Sequence, residues 1–379
     1  LQATPSAILF TSYCHFKKHE YTKAISNLEA YLKMPNSEYM QLVGRVNLAA
    51  AYRGNRQYQA AMGQINSIIA HSQLMHHKRL WAKAHEIRAQ VFIHLGRYSE
   101  AKEDLSKASV LVSEGGELLV IRKWNAIAEA LETNNIGEIE KLRMEAIINY
   151  DGEAVRDLDF FALKIQFDSK KFQKLVFGTP FIDYREQVMA DLNRRTAEEH
   201  LIYGTTGAPT FDVATGEVKG LNVSAPGNMV HRLIAVFLSD LYRPWNMGSI
   251  FGELFPDEKF DAKASTNRIH QLLWRLRRWF DSNQIPVELT EYSGQYRLEI
   301  KGHFAFILPQ QKVALDEQEI YLRKIQTLFG QQATFSSRQV QAMLGISSSS
   351  FKRLANWALH HKKFERMGSS RATVYRVVA

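Results

Sequence analysis

RQYQAAMGQI, residues 56–65, decides how the first third of the chain is read, because its pattern also occurs before and after it. The other copies are HEYTKAISNL at 19–28 and GRYSEAKEDL at 96–105. Each places an aromatic first, a small residue three positions on and an apolar residue four beyond that: Tyr21/Ala24/Leu28, Tyr58/Ala61/Ile65 and Tyr98/Ala101/Leu105. Spacings of three and four put these side chains on one face of a helix, and self-similarity at a near-constant period marks a stacked-repeat architecture. Upstream residues fit the same frame, with Leu48, Ala49 and Tyr52 before Tyr58, and Ala89, Phe92 and Gly96 before Tyr98.

Over residues 5–112 this pattern resembles tetratricopeptide (TPR) repeats, in which a small residue lets two helices pack closely beside the aromatic. The intervals between the tyrosines, 37 and 40 residues, exceed the usual repeat and imply longer connections such as HSQLMHHKR. Residues 1–112 are therefore expected to be TPR-like helical repeats, and 113–200 continuing or capping helices. ELLVIRKWNAIAEALETN, IGEIEKLRMEAIINY, AVRDLDFFALKIQF, SKKFQKLVF and DYREQVMADLNRR keep helical periodicity between Asn, Gly, Asp-Ser and Gly-Thr-Pro breaks. A helical stack makes a long concave surface, so the expected ligand is a peptide or protein.

At about residue 201 the texture becomes β-rich. LIYGTTGAPTFDVATGEVKGLNV alternates apolar positions between Gly, Asn and Thr-Gly turns, which predicts two or three short strands, with Gly204-x-x-Gly207 as a hairpin connection. Helices are expected at 227–241, 247–254 and 265–282, and PVELTEYSGQYRLEI reads as a hairpin turning at Ser293-Gly294. This order resembles the winged-helix effector domain of OmpR/PhoB-type response regulators over residues 205–300. RIHQLLWRLRRWF matches that family's recognition helix, with Leu276-Arg277 as its Leu-Arg signature, and EYSGQYRL matches its wing. The resemblance implies a domain at 201–305 that binds duplex DNA, in a family that commonly pairs, so a homodimer is an implied partner. No receiver domain or phosphoacceptor pocket is visible in the sequence.

Helical geometry separates the two faces of this helix. Ile269, Leu272, Leu273, Leu276 and Phe280 form one apolar stripe. The opposite side carries Arg268, Gln271, Trp274, Arg275 and Arg278, with Asn267 and His270 near the start; Arg and Gln suit base edges in the major groove. A bare indole such as Trp274 also suits a cover for a neighbouring domain.

The last sixty residues have the same logic in shorter form and predict a second winged helix at 312–379. EQEIYLRKIQTLFG, SSRQVQAML (capped by Ser336 or Ser337) and SSSFKRLANWALHHKK read as helices, and FERMGSSRATVYRVV as a hairpin with Gly368-Ser369-Ser370 at its tip. The stretch resembles bacterial winged helices built from a short helix, a Gly turn, a Ser-started helix and a wing. Ser348, Ser349, Ser350, Lys352 and Arg353 are expected outward, Phe351, Leu354 and Leu359 inward, and Arg366 and Arg371 on the wing.

Charge sorts the same way. Residues 1–200 carry 26 Lys/Arg against 24 Asp/Glu, residues 201–300 carry 10 against 11, and residues 301–379 carry 12 against 4. A basic C-terminal domain on a near-neutral body points to a polyanion. Cys14 is the single cysteine, no apolar run approaches a membrane span, and the start LQATPSAILF lacks a signal-peptide pattern, so the expected location is cytoplasmic. Cys14, His15 and His19 are too few for a metal site, and no catalytic serine, phosphate-loop or cofactor signature occurs. The fold expected is mainly α, a TPR-like solenoid followed by two α+β winged-helix domains; the function expected is transcription regulation, without enzymatic activity or cofactor. A helical stack ending in a winged helix also resembles PCI-type assembly subunits, whose winged helices mediate subunit contacts. The basic C-terminus favours DNA, and the slightly acidic 201–300 module favours the scaffold.

Overall fold

The computed structural model describes residues 4–74, 77–111, 116–309, 317–330, 334–368 and 373–378. It is mainly helical, with small sheets confined to the C-terminal half, and divides into two compact units, residues 1–195 and 196–379.

The first unit is built from α1 (Pro5–Lys17), α2 (Tyr21–Leu32), α3 (Glu38–Gly54), α4 (Tyr58–Leu74), α5 (Lys78–His94), α6 (Tyr98–Ser109), α7 (Gly116–Thr133), α8 (Gly137–Ile148), α9 (Gly152–Ile165), α10 (Ser169–Phe177) and α11 (Ile182–Asp191). Each helix packs on the next. The odd helices α3, α5, α7 and α9 also pack on one another in turn, which makes a two-layered stack. The repeated motif shows how the layers form. Two residues before each motif tyrosine the chain takes a left-handed conformation, at His19 (φ 57°), Arg56 (φ 60°) and Gly96 (φ 74°). The following N–H then closes a Schellman turn, from Glu20 to His15 O (3.0 Å), Gln57 to Tyr52 O (2.8 Å) and Arg97 to Phe92 O (2.9 Å). The reversal turns the next helix back along its predecessor. Ala24, Ala61, Ala101, Leu28, Ile65 and Leu105 all become fully buried.

Close approach has a second cause, glycine on α3. A Cβ at Gly54 would lie 2.5 Å from the ring of Tyr21, and one at Gly44 would lie 2.6 Å from that of Tyr31. These tyrosine rings lie directly against bare backbone. The buried charges of the stack are paired, as burial demands. Asp104 accepts from Arg88 Nε (2.6 Å) and Nη2 (2.7 Å) and lies 2.8 Å from His85 Nδ1; Asp159 accepts from Arg143 at 2.5 Å.

The five helices expected between 117 and 195 correspond to α7–α11. Their end returns to the beginning. Arg56 Nη2, in the turn between α3 and α4, donates to Gln187 O at 2.9 Å and lies 2.9 Å from Asp191, both on α11.

The second unit contains a four-stranded sheet in the order β1-β7-β2-β3, formed by β1 (His200–Gly204), β2 (Thr210–Asp212), β3 (Val218–Lys219) and β7 (Ala305–Pro309). β1 runs antiparallel to β7 with Ile202 opposite Ile307, while β2 runs parallel to it with Phe211 opposite Phe306. The hairpin expected at Gly204–Gly207 therefore does not form, because β7 lies between β1 and β2. Phe304, Ala305 and Phe306 are fully buried, as a central strand requires. Gly204 is forced at this junction: its φ is +131°, and a Cβ would stand 2.4 Å from Phe304 O. β7 also carries the module four residues past the expected boundary at 305.

Between these strands lie α12 (Asn228–Ser239), α13 (Met247–Leu254), α14 (Ala264–Ser282) and a sheet ordered β4-β6-β5, from β4 (Trp245–Asn246), β5 (Val287–Tyr292) and β6 (Gln295–Ile300). β5 and β6 are joined at Ser293 (φ 50°) and Gly294 (φ 74°), two left-handed residues as a tight hairpin turn requires. His231 of α12 is buried against Val213 O at 2.8 Å, and a Cβ on Gly216 would strike its ring at 2.8 Å.

The C-terminal part comprises α15 (Glu317–Phe329), β8 (Thr334–Ser336), α16 (Ser337–Leu344), α17 (Ser348–His360), β9 (Phe364–Met367) and β10 (Val374–Val377), with strand order β8-β10-β9. Its core joins Leu322, Ile325, Phe335, Val340, Phe351, Leu354, Ala355, Ala358, Phe364 and Val377. Ser336, not Ser337, caps α16, in a capping box with Gln339, and Gly345 ends the helix at φ 63°. Leu359, expected inside, is half-buried and packs against this core beside the fully buried Ala358.

Candidate nucleic-acid interface

α14 is held by one face. Ser265, Ile269, Leu272, Leu273, Leu276 and Phe280 are buried, so the helix can rotate only by giving up this stripe. At about 100° per residue, Asn267, Arg268, Gln271, Trp274, Arg275 and Arg278 then fall within an arc of about 120° on the opposite side, with His270 at its edge. All seven are exposed.

Their electrostatic states differ. Arg268 is engaged: it donates to Glu258 Oε2 at 2.5 Å and stacks on Phe255 with its guanidinium carbon 3.8 Å from the ring centroid. That hydrogen bond draws the Glu258 carboxyl below its usual range. Arg268 is thus tied to the loop before α14 and is not a free reader. Arg278 lies 5.3 Å over the ring of Trp274, which is 57% exposed, so the indole's partner is this guanidinium. Arg275 has neither an ion pair nor a hydrogen bond among the described residues. Arg277, on the flank, aims Nη2 at Leu289 O, 3.5 Å away.

α17 shows the same division in miniature. Phe351, Leu354, Ala355 and Ala358 are buried, whereas Ser348, Ser349, Lys352 and Arg353 are exposed. Ser347 caps the helix, accepting the Ser350 N–H at 3.1 Å, and its hydroxyl lies 2.8 Å from Ser349 Oγ and 3.0 Å from Ser350 Oγ. Ser350 is half-buried rather than exposed. At about 100° per residue it sits some 60° beyond Arg353, toward the core side. Its hydroxyl accepts a long contact from Arg353 Nη2, 3.5 Å, which steadies that guanidinium.

Arg366, on β9, is exposed and donates to Thr373 Oγ1 at 3.5 Å; Arg371 and the tip serines 369 and 370 lie outside the described residues. Two surface contributors escaped the sequence reading. Asn356 and His360 continue the exposed ridge from Lys352 at steps of four, a spacing that would have revealed them. Arg338 on α16 and the Lys362-Lys363 pair after α17 are also exposed. Arg338, Lys352, Arg353, Lys362, Lys363 and Arg366 have no ion-pair partner among the described residues. Arg376, by contrast, is neutralised by Glu365 at 2.5 Å.

No protein-family model and no curated protein matches the chain. The site is therefore defined by its own geometry: two helices, each anchored by an apolar face and presenting unpaired cations beside amide or hydroxyl side chains. Such a surface can neutralise phosphates with its cations and offer hydrogen bonds to base edges. Among the described residues no group of three or more His, Cys, Asp or Glu is placed to hold a metal, and no helix is long and apolar enough to cross a membrane. Of the three metal candidates, His15 lies 2.7 Å from Glu20, and His19 packs against Tyr184 and Phe181.

Proposed function

We propose that the chain is a cytoplasmic, DNA-binding transcription regulator in which a TPR-like helical unit docks a peptide or protein and two winged helices bind duplex DNA, α14 and α17 serving as recognition helices. The observation that carries this reading is the exposed arc of α14. Among the described residues its Arg275 has neither an ion pair nor a hydrogen bond, and Gln271 and Asn267 stand beside it, directly opposite a buried stripe. A face that only covered another protein would not need unpaired guanidinium groups, whose desolvation is costly.

The reading is tested by fluorescence anisotropy with duplex DNA. Arg275→Ala combined with Arg278→Ala weakens binding while the melting temperature holds. Leu276→Ala, on the buried stripe, costs about 2–5 kcal/mol of stability. Unchanged DNA binding in the double Arg variant overturns the assignment of α14 and favours the protein-contact role of a PCI-like scaffold.

A further inference from the structure

The last helix of the first unit, α11, turns one face to the stack. Tyr184, Gln187, Val188 and Asp191 stand at i, i+3, i+4 and i+7, the spacing with which a helix lies in a groove, and all four border a cavity of about 70 Å³. Across it lie Arg53, His94, Trp124 and Phe161, one residue from each of the odd helices α3, α5, α7 and α9. α11 therefore occupies a surface that the odd helices share, and an extended shared surface is what a helical stack uses to bind. Gln187 Nε2 donates to Gly54 O at 3.4 Å, and Arg56 holds the far end through Gln187 O and Asp191, each at 2.9 Å.

The fit is incomplete. Of the ten residues of α11 only Tyr184, Arg185 and Val188 are buried, and Ile182 is 67% exposed. The Tyr184 hydroxyl, Arg53 Nε and the hydroxyl of Thr179, in the connection from α10, are shut away from water without a hydrogen-bond partner among the described residues. Closing water off from such groups opposes docking, and they regain it when the helix opens. Burial also lowers the pKa of Arg185, with the adjacent Glu186 opposing it, so α11 carries a charge into a place that disfavours it. Three buried side chains and two contacts from Arg56 thus hold a helix whose docking leaves a gap and several unmet polar atoms.

We propose that α11 is a resident ligand of the repeat surface, and that the protein partner of the helical unit is an amphipathic helix with the same face, aromatic at i, aliphatic at i+4 and acidic at i+7, which displaces it. The acid follows from Arg56: paired with Asp191 here, it keeps a partner after displacement only if the incoming helix supplies one. The inference rests on the docking role proposed for the helical unit and not on DNA binding. α11 is also the last helix before residue 196, where the second unit begins, so the segment displaced is the one that leads into that unit.

Anisotropy of a labelled peptide of residues 179–195, titrated with the full chain, tests the proposal, with folding followed by circular dichroism. Two variants open the surface: Tyr184→Ala with Val188→Ala, which removes the buried anchors, and Glu186→Pro, at an exposed position, which breaks the helix and leaves every groove residue in place. Each should bind the peptide at least about tenfold more tightly than wild type, where the tethered copy competes at an effective concentration on the order of millimolar. The peptide carrying Asp191→Asn should bind several-fold more weakly. Equal binding by wild type and variants puts the peptide elsewhere on the stack, which overturns the inference and leaves the docking role standing. No binding by a folded, opened variant overturns the partner class, a result that does not touch docking at another surface. Unfolding of both variants makes α11 an integral part of the core and also overturns the proposal. If sedimentation shows a wild-type dimer that the peptide dissociates, the occupant is α11 of a second copy and the partner-protein reading falls.

Discussion

Lys352→Gln with Arg353→Gln removes two of the six exposed cations of the C-terminal module that have no ion-pair partner among the described residues. Each cation that neutralises one phosphate contributes about 0.9 to the slope of log K against log salt, so six together set a ceiling of about 5 and two account for about 1.8. Between 50 and 200 mM salt, a fourfold change, a loss of about 1.8 in slope makes the fall in affinity about tenfold smaller than in wild type. Anisotropy titrations of a fluorescent duplex at four or five salt concentrations measure this directly. A matched control comes from the same module: Arg376→Gln with Glu365→Gln deletes a cation that is already neutralised, leaves net charge unchanged and should leave the slope where it was. Equal slopes for wild type and Lys352→Gln/Arg353→Gln, with folding intact, would falsify the phosphate-binding role of α17. A slope lowered equally by the control, whose net charge is unchanged, would mean that the loss is not specific to the exposed ridge.

Two further outcomes concern stability. Ala61→Leu and Ala101→Leu, at fully buried positions beside motif tyrosines, should each cost about 1–3 kcal/mol by overpacking, and melts that show no loss would remove the close-packed-repeat reading. His231 is held down to about 4 by burial, with the nearby Lys324 adding to the effect and the bond to Val213 O opposing it. The unfolded chain, with an ordinary histidine near 6.5, takes up its proton first as pH falls, so the native state loses stability between pH 6.5 and 4 and the loss levels off below that. The size is on the order of 3 kcal/mol. Denaturation of wild type and His231→Gln from pH 7 to 4 should diverge over that window, and parallel curves would refute it.

Amphipathic periodicity is a local property, and it made the helices from α7 to α14 legible as elements. The same holds for the two faces of α14: five apolar residues at spacings of three and four can only point one way, and the cations opposite them must then be exposed. The motif alanines were visible for the same reason. Gly44 and Gly54 were not, since their need for bare backbone arises from tyrosines that lie on another helix.

What the residues determine by themselves is thus the helices, the turn between β5 and β6 and the outward charge, because each depends on neighbours a few positions away. Only the tertiary structure decides which strands and charges meet. β7 inserts between β1 and β2 across about a hundred residues, Arg56 finds Gln187 and Asp191 on α11, and Glu258 takes Arg268 away from the exposed arc. Contacts between segments so far apart leave no period in the chain. They are selected by which buried faces and unpaired polar groups remain once the local elements have formed.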